Sequence, residues 1–184
     1  MALDLSYRPM DAETQTQGFC CGARKLDRFL TSGKALRDHR AGTILTTCAY
    51  LPGIVPPVGF YSIASVAETV KHLPGTYRLF GGDDYFPAMQ LVYLGVHGTH
   101  QGQDIGTSMA GAVVSLFADV GQKLGIPHLI LVPINDEVIP FYRDRLGFRC
   151  YKGTSRMYLP LQLAVDAMST PPENDTGELF SNEE

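Results

Sequence analysis

No apolar stretch in this 184-residue chain approaches the roughly 20 residues needed to cross a bilayer. The amino terminus also lacks the basic-then-apolar layout of a secretory leader. Both absences point to a cytoplasmic protein with no membrane partner. Cysteine is scarce: Cys20, Cys21, Cys48 and Cys150 contain no C-x-x-C pair, and no histidine stands at metal-ligand spacing from any of them. Adjacent cysteines such as Cys20 and Cys21 pair poorly with each other on geometric grounds. Reduced thiols and no metal site are expected. Two nucleotide signatures are missing as well. There is no Gly-Lys-Ser/Thr phosphate loop and no G-x-G-x-x-G, which removes P-loop hydrolysis and Rossmann dinucleotide binding. No internal repeat is visible.

What is present fits one globular domain. Hydrophobic residues make up 45% of the chain, charged residues 18%, and mean hydropathy is −0.01. The formal charge of −4 hides a division. Residues 166–184 carry six acidic side chains, from Asp166 to Glu184, and no Lys or Arg. This stretch, with Pro171, Pro172 and little apolar periodicity, reads as a disordered acidic tail on a domain spanning 1–165. The body then has 15 basic against 13 acidic residues. Within it, Arg24, Lys25, Arg28, Lys34, Arg37 and Arg40 face only Asp27 and Asp38 over residues 24–40. Such a segment is either a solvated helix face or a contact for a polyanion, so the whole-chain charge does not exclude RNA.

Periodicity supplies a coarse order of elements. Residues 2–9 suit a first strand and Cys21–Leu36 one helix, with Leu26, Phe29, Leu30 and Gly33 along one face. Thr43–Tyr50 and Val58–Ala67 suit a hairpin around Pro52, Gly53, Pro56 and Pro57. Residues 68–87 form a long Gly-, Pro- and Asp-rich loop, and Ala88–Val96 a central strand. From Ile105 the positions Met109, Ala112, Val113, Leu116, Phe117, Val120 and Leu124 trace one helical face, ended by Gly125 and Pro127. His128–Val132 suits a buried strand. A short helix capped at Asn135 or Asp136 runs to Arg145, and strands at Phe148–Gly153 and Arg156–Leu161 close the chain. The expected class is α/β (α+β), a mixed sheet with helices on both faces.

The chemistry-bearing segment is the junction from Leu94 to Thr107, where a buried strand meets a glycine-bearing turn and a long helix. Open amides at a helix amino terminus favour an anion such as a diphosphate. Taken alone, the same pattern is equally an ordinary tight connection. Its context carries a resemblance. Segment 94–107, then Asn135, then Phe141-Tyr142-Arg143-Asp144-Arg145-Leu146-Gly147-Phe148, resembles the acetyl-CoA-binding core of the GNAT superfamily of N-acetyltransferases: strand, Gln-x-x-Gly-x-Gly helix start, strand, Asn, FY…GF. Upstream, Phe19-Cys20-Cys21-Gly22, Leu26-Asp27-Arg28-Phe29-Leu30, Gly59-Phe60-Tyr61-Ser62-Ile63 and Phe86-Pro87 resemble the GNAT subgroup that contains toxins of toxin–antitoxin pairs.

The resemblance implies a GNAT-like fold: a mostly antiparallel central sheet with a splayed strand pair. It also implies acetyl-CoA as acyl donor, with no metal. Backbone groups of Leu94 and Val96 would pair with the pantetheine arm. The loop Gln101, Gly102, Gln103, Asp104, Ile105, Gly106 and Thr107 would cradle the diphosphate. Asn135 would contact the cofactor or simply cap a helix. Val96 would supply the oxyanion amide and Tyr142 the proton for the departing thiolate, or Tyr142 is a core aromatic. Glu68 and His97 are positions for a base. The implied activity is direct acetyl transfer to a primary amine, that of an aminoacyl-tRNA as in GNAT toxins. Alternatives are a small-molecule or protein amine, or a degenerate non-catalytic GNAT-fold binding module. An antitoxin or a second copy of the chain completes the implied partners. The sequence departs from the pattern at Asp104, where glycine is usual, at Tyr93, where the subgroup carries Arg, and at His97, where it carries Asp.

Overall fold

The computed structural model describes residues 4–69 and 85–169. Strands β1 (Ser6–Pro9), β2 (Leu45–Tyr50), β3 (Gly59–Thr69) and β4 (Tyr85–Val96) form an antiparallel succession. β4 then pairs parallel with β5 (His128–Leu131), which requires a crossover. Helix α3 (Ile105–Leu124) provides it, after α1 (Arg24–Thr31) and α2 (Lys34–Arg40) near the amino terminus. The two-residue β6 (Arg149–Cys150) and β7 (Met157–Pro160) complete a seven-stranded sheet of order β1-β2-β3-β4-β5-β7-β6.

Alternation along the strands divides the apolar residues between two faces. Tyr61, Met89, Leu91, Leu129 and Leu159 join Ile105, Met109, Val113 and Phe117 of α3 in one core. Residues of opposite parity, Cys48 and Phe60, meet Leu26, Phe29 and Leu30 of α1 in another. The mixed sheet with helices on both faces is therefore as expected. Phe86, Ala88, Ile130, Tyr151 and Tyr158 form a third buried cluster. It encloses His128, whose Nδ1 lies 3.3 Å from the Tyr151 hydroxyl.

Several expectations need correction. The helix placed at Cys21–Leu36 is two helices, because Gly33 adopts a left-handed φ of 76° that turns the chain between α1 and α2. A final helix, α4 (Leu161–Ser169), was not anticipated. It docks where Gly121 of α3 lacks a side chain: a Cβ there would meet Leu161 Cδ1 at 2.6 Å. That docking draws Ala110, Val114 and Ala118 into the core and leaves Leu124 70% exposed, so the buried stripe of α3 is turned from the expected one. Asp166 to Ser169, assigned to the acidic tail, are helical because Ala164 and its neighbours pack on the same core. Residues 170–184 of that tail and 70–84 of the long loop lie outside the described residues. Glu68 and Thr69, assigned to the loop, end β3. The short helix expected from Asn135 to Arg145 is present, capped by Asn135, but it is irregular: a 3₁₀ turn (Asp136–Val138) leads into a π-helical turn (Phe141–Arg145).

Candidate functional site

Strand β4 opens the site by losing its neighbour. Its parallel pairing with β5 ends at Leu91 and Leu131. At the same height the β3–β4 register slips: Ser62 faces Tyr93 and Ile63 faces Leu91, so Val92 is an extra residue without a partner. Such a bulge bends its strand and increases the local twist. Beyond it β5 turns outward, leaving Val132 and Ile134 48% and 53% exposed. The backbone consequence is decisive. The amide of His97 donates to the Val58 carbonyl at 2.8 Å, toward β3. Amide direction alternates, so the polar groups of Val96 and Leu94 point the other way, into the gap left by β5. A cleft of about 180 Å³ fills that gap, lined by Leu94, Leu131, Ile134, Phe141 and Tyr142 among others.

A second cavity, of about 350 Å³, lies at the amino terminus of α3 and shares Gly106 and Phe141 with the lining of the cleft. Gln101, Gly102, Asp104, Ile105, Gly106 and Thr107 line it. First-turn amides of a helix have no acceptor within it, and the helix dipole adds positive potential, so the cavity suits an anion. Gln101 has a different task from its neighbours. Its Nε2 donates to the carbonyls of Cys21 (2.8 Å) and Val96 (3.0 Å), tying the loop to the segment before α1. Asp104 is the one non-glycine with positive φ among the described residues, at 57°. It occupies the helix-capping position without capping: its Oδ1 accepts from Arg145 Nη1 at 3.3 Å.

Tyr142 projects from the π-turn onto the cleft, edge-on to Phe148 with ring centroids 5.8 Å apart. Burial pushes its phenol up to about 12, so it keeps its proton through the neutral range. Asn135 Oδ1 accepts from the Val138 amide at 3.3 Å, the capping arrangement, and the residue is exposed. It thereby shapes the turns that carry Tyr142.

On the other side of β4, Tyr93 lies against Phe29 with ring centroids 4.5 Å apart and planes tilted by 43°, and Lys25 Nζ is 5.8 Å from its ring. Tyr93 borders both the cleft and a broad pocket of about 560 Å³ whose lining includes Arg24, Lys25, Arg28 and Lys34. The basic segment noted in the sequence thus stands beside the cleft, across Tyr93 from it. α1 reaches this position because Gly95 has no Cβ, which would come within 3.1 Å of Phe60 and 3.4 Å of Leu26.

Glu68 does not belong to the site. It lies opposite Phe86, eight residues along β4 from Leu94, or about 26 Å in a strand. There it is buried against Arg156. His97 sits at the rim, its ring edge-on to Phe19 at 5.6 Å and its Nδ1 2.9 Å from the Thr99 hydroxyl. Cys21 holds its proton, since burial and then Asp27 push its thiol up to about 11. Among the described residues no group of three or more His, Cys, Asp or Glu could hold a metal ion, and no helix is long and apolar enough to cross a membrane. The bulge at Val92 and the Asp104–Arg145 contact escaped sequence reasoning. The two partners of that contact stand 41 positions apart, and nothing in their spacing shows that they meet.

No family model matches the sequence, and no curated protein is similar to it. Solved structures are. A tyrosine-to-phenylalanine mutant of KacT superposes with a TM-score of 0.78 at 20% identity, covering 89% of this chain and 98% of that one. AtaT complexed with acetyl-methionyl-tRNAfMet gives 0.78 at 21%, covering 91% and 100%. A tyrosine-to-phenylalanine mutant of the AtaT toxin, bound to the C-terminus of the antitoxin AtaR and acetyl-CoA, gives 0.74 at 19%, covering 91% and 99%. The chain has the fold of KacT and AtaT. The sheet that is antiparallel except at one splayed parallel pair is thus shared over nearly the whole length of each of these proteins. At one residue in five identical, what the GNAT fold shares here is architecture.

Proposed function

We propose that this protein is an acetyl-CoA-dependent N-acetyltransferase whose acceptor is the amino group of an aminoacyl-tRNA. The observation that carries the reading is a cleft and a neighbouring cavity, both lined by Gly106 and Phe141, that bring outward-pointing strand amides, a helix amino terminus and a protonated phenol side by side. The pantetheine arm lies along β4, where the outward-pointing backbone groups of Leu94 meet its amides, the Val96 carbonyl being held by Gln101. The diphosphate sits against the amides from Gly102 to Thr107. Gln101 holds that loop in place through its two side-chain bonds. The neutral amine attacks the thioester carbonyl carbon, and the oxyanion that forms is met by the Val96 amide. Collapse breaks the carbon–sulfur bond, the thiolate takes the Tyr142 proton, and the amine sheds its extra proton to water. The role left to Asn135 is to hold the Tyr142 turn.

Two features favour the tRNA acceptor over a polyamine or a lysine. The pocket beside the cleft carries four basic side chains around an aromatic platform, Tyr93 against Phe29, suited to a phosphate chain ending in a stackable group. Moreover, no described residue lining the part of the cleft between β4 and Tyr142 is a carboxylate, imidazole or thiol, His100 and Asp104 lining only the cavity at the amino terminus of α3. Without a base, the acceptor must arrive neutral. An α-amine of pKa about 8 does so far more readily at pH 7 than a lysine near 10.4. AtaT, whose fold this chain shares, has been seen in complex with acetyl-methionyl-tRNAfMet and, as a mutant, bound to the C-terminus of the antitoxin AtaR. A cytoplasmic location and an antitoxin partner are the corresponding expectations for this protein.

Thiol release from acetyl-CoA, with aminoacyl-tRNA, polyamines and peptides as competing acceptors, tests the reading. Release with aminoacyl-tRNA, weakening steeply between 50 and 200 mM salt as phosphate contacts demand, is the expected result. Release confined to polyamines or peptides moves the activity to another amine. Asp104 favours a second reading, a module that binds without turnover. A protein not thermally stabilised by millimolar acetyl-CoA supports neither substrate binding nor catalysis.

A further inference from the structure

Asp104 is unusual in two ways at once. It holds a left-handed backbone conformation, φ 57°, that favours glycine, and it places a carboxylate in a cavity suited to an anion. A capping role does not account for it, because its side chain makes no hydrogen bond to the amides of α3. Its partner is Arg145, at the end of the π-turn that carries Tyr142. The same Arg145 Nη1 lies 3.5 Å from Thr107 Oγ1, so the guanidinium spans from the loop to the first turn of α3. Arg145 is the only Lys or Arg among the described residues lining this cavity. Both members of the pair are well exposed, with side chains 61% and 75% accessible, so the contact is weak and readily exchanged.

We propose that Arg145 is the side chain that recognises the diphosphate of acetyl-CoA and that Asp104 holds it in reserve, the incoming diphosphate displacing the carboxylate from the guanidinium. This rests on the acetyl-CoA reading above. A guanidinium bonds a phosphate more strongly than it bonds an exposed carboxylate across an open turn, because the phosphate offers more acceptor oxygens and charge. The exchange leaves Asp104 facing solvent near the bound anion, a standing cost in affinity. Asp104 thus lowers how tightly the donor binds, and Arg145 offsets that like charge.

The test is a double-mutant cycle on the full chain, measuring CoA affinity calorimetrically for the wild type, Arg145→Gln, Asp104→Gly and the double variant. Both side chains are exposed, and the folded state of each variant is checked by thermal melting without ligand. Arg145→Gln should weaken CoA binding roughly tenfold, the size of a lost charge-assisted hydrogen bond. Asp104→Gly should tighten it, and by about threefold more when Arg145 is present than when it is absent, since only then is a contact released. Acetyl-pantetheine, which lacks the diphosphate, should serve as donor equally well with all four proteins. Equal CoA affinity for wild type and Arg145→Gln overturns the inference while leaving the acetyl-CoA reading intact. An equal gain from Asp104→Gly in both backgrounds overturns the reserve role, because Asp104 then acts by repulsion alone. CoA binding to none of the four overturns the acetyl-CoA reading and this inference with it.

Discussion

The two halves of strand β4 have nearly the same apolar character and opposite fates. From Ala88 to Leu91 the strand is paired on both edges and its surroundings are buried, with Leu129, Ile130 and Leu131 beside it. From Val92 to Val96 it keeps β3 but has no β5, and the freed edge faces the cleft. A backbone amide must find a partner; in the lower half the sheet supplies it, and in the upper half a ligand can. The tyrosines repeat the contrast. Burial raises both Tyr142 and Tyr151, but Tyr142 borders the cleft while Tyr151 is enclosed with His128 and Tyr158. A protonated phenol becomes useful only where a leaving group can reach it.

The largest expected effect separates those two phenols. Tyr142→Phe should lower turnover by about a thousandfold with acetyl-CoA affinity little changed, whereas Tyr151→Phe should leave turnover intact. Equal losses from the two in steady-state kinetics would erase the contrast. With Tyr142 at about 12, turnover should also stay level from about pH 8 to 10, where an ordinary phenol of pKa about 10 would begin to fail.

Next in size is packing along β5. Leu129→Ala in the paired half should cost about 4 kcal/mol in urea denaturation, and Val132→Ala just past the fork less than about 0.5 kcal/mol. Similar values would mean that the fork closes in solution.

The smallest effect belongs to His128 in the paired half. Burial, only partly offset by Glu68, lowers its pKa from 6.5 to about 4. Between those values the unfolded chain takes up a proton that the folded chain refuses. Stability is therefore full above about pH 6.5 and falls as the pH drops toward 4, by up to about 3 kcal/mol. His128→Leu should flatten that slope in denaturation measured from pH 7 to 4; an unchanged slope would assign it to other groups.

Much of this was readable in one dimension. The apolar run Ala88–Val96, the period of Ile105–Leu124 and the Gly102–Thr107 turn gave the β4-α3 junction, because burial and capping are local in sequence. Glycine at 33 was read as part of a helix face, since its left-handed φ leaves no mark on apolar periodicity. α4 was missed because its docking depends on the bare surface at Gly121, 40 residues earlier.

By itself, then, the sequence determined most of the strands and the long helix α3, where charge lies, and that Tyr142 and a glycine-bearing helix start share one chain pattern. Only the tertiary structure decided that β4 and β5 part after Leu91, that Glu68 lies far from the cleft, and that Arg145 answers Asp104. The physical reason is range. Propensity and periodicity act over a few residues, whereas a fork, a cleft and an ion pair across 41 positions exist only once the sheet has brought distant segments together.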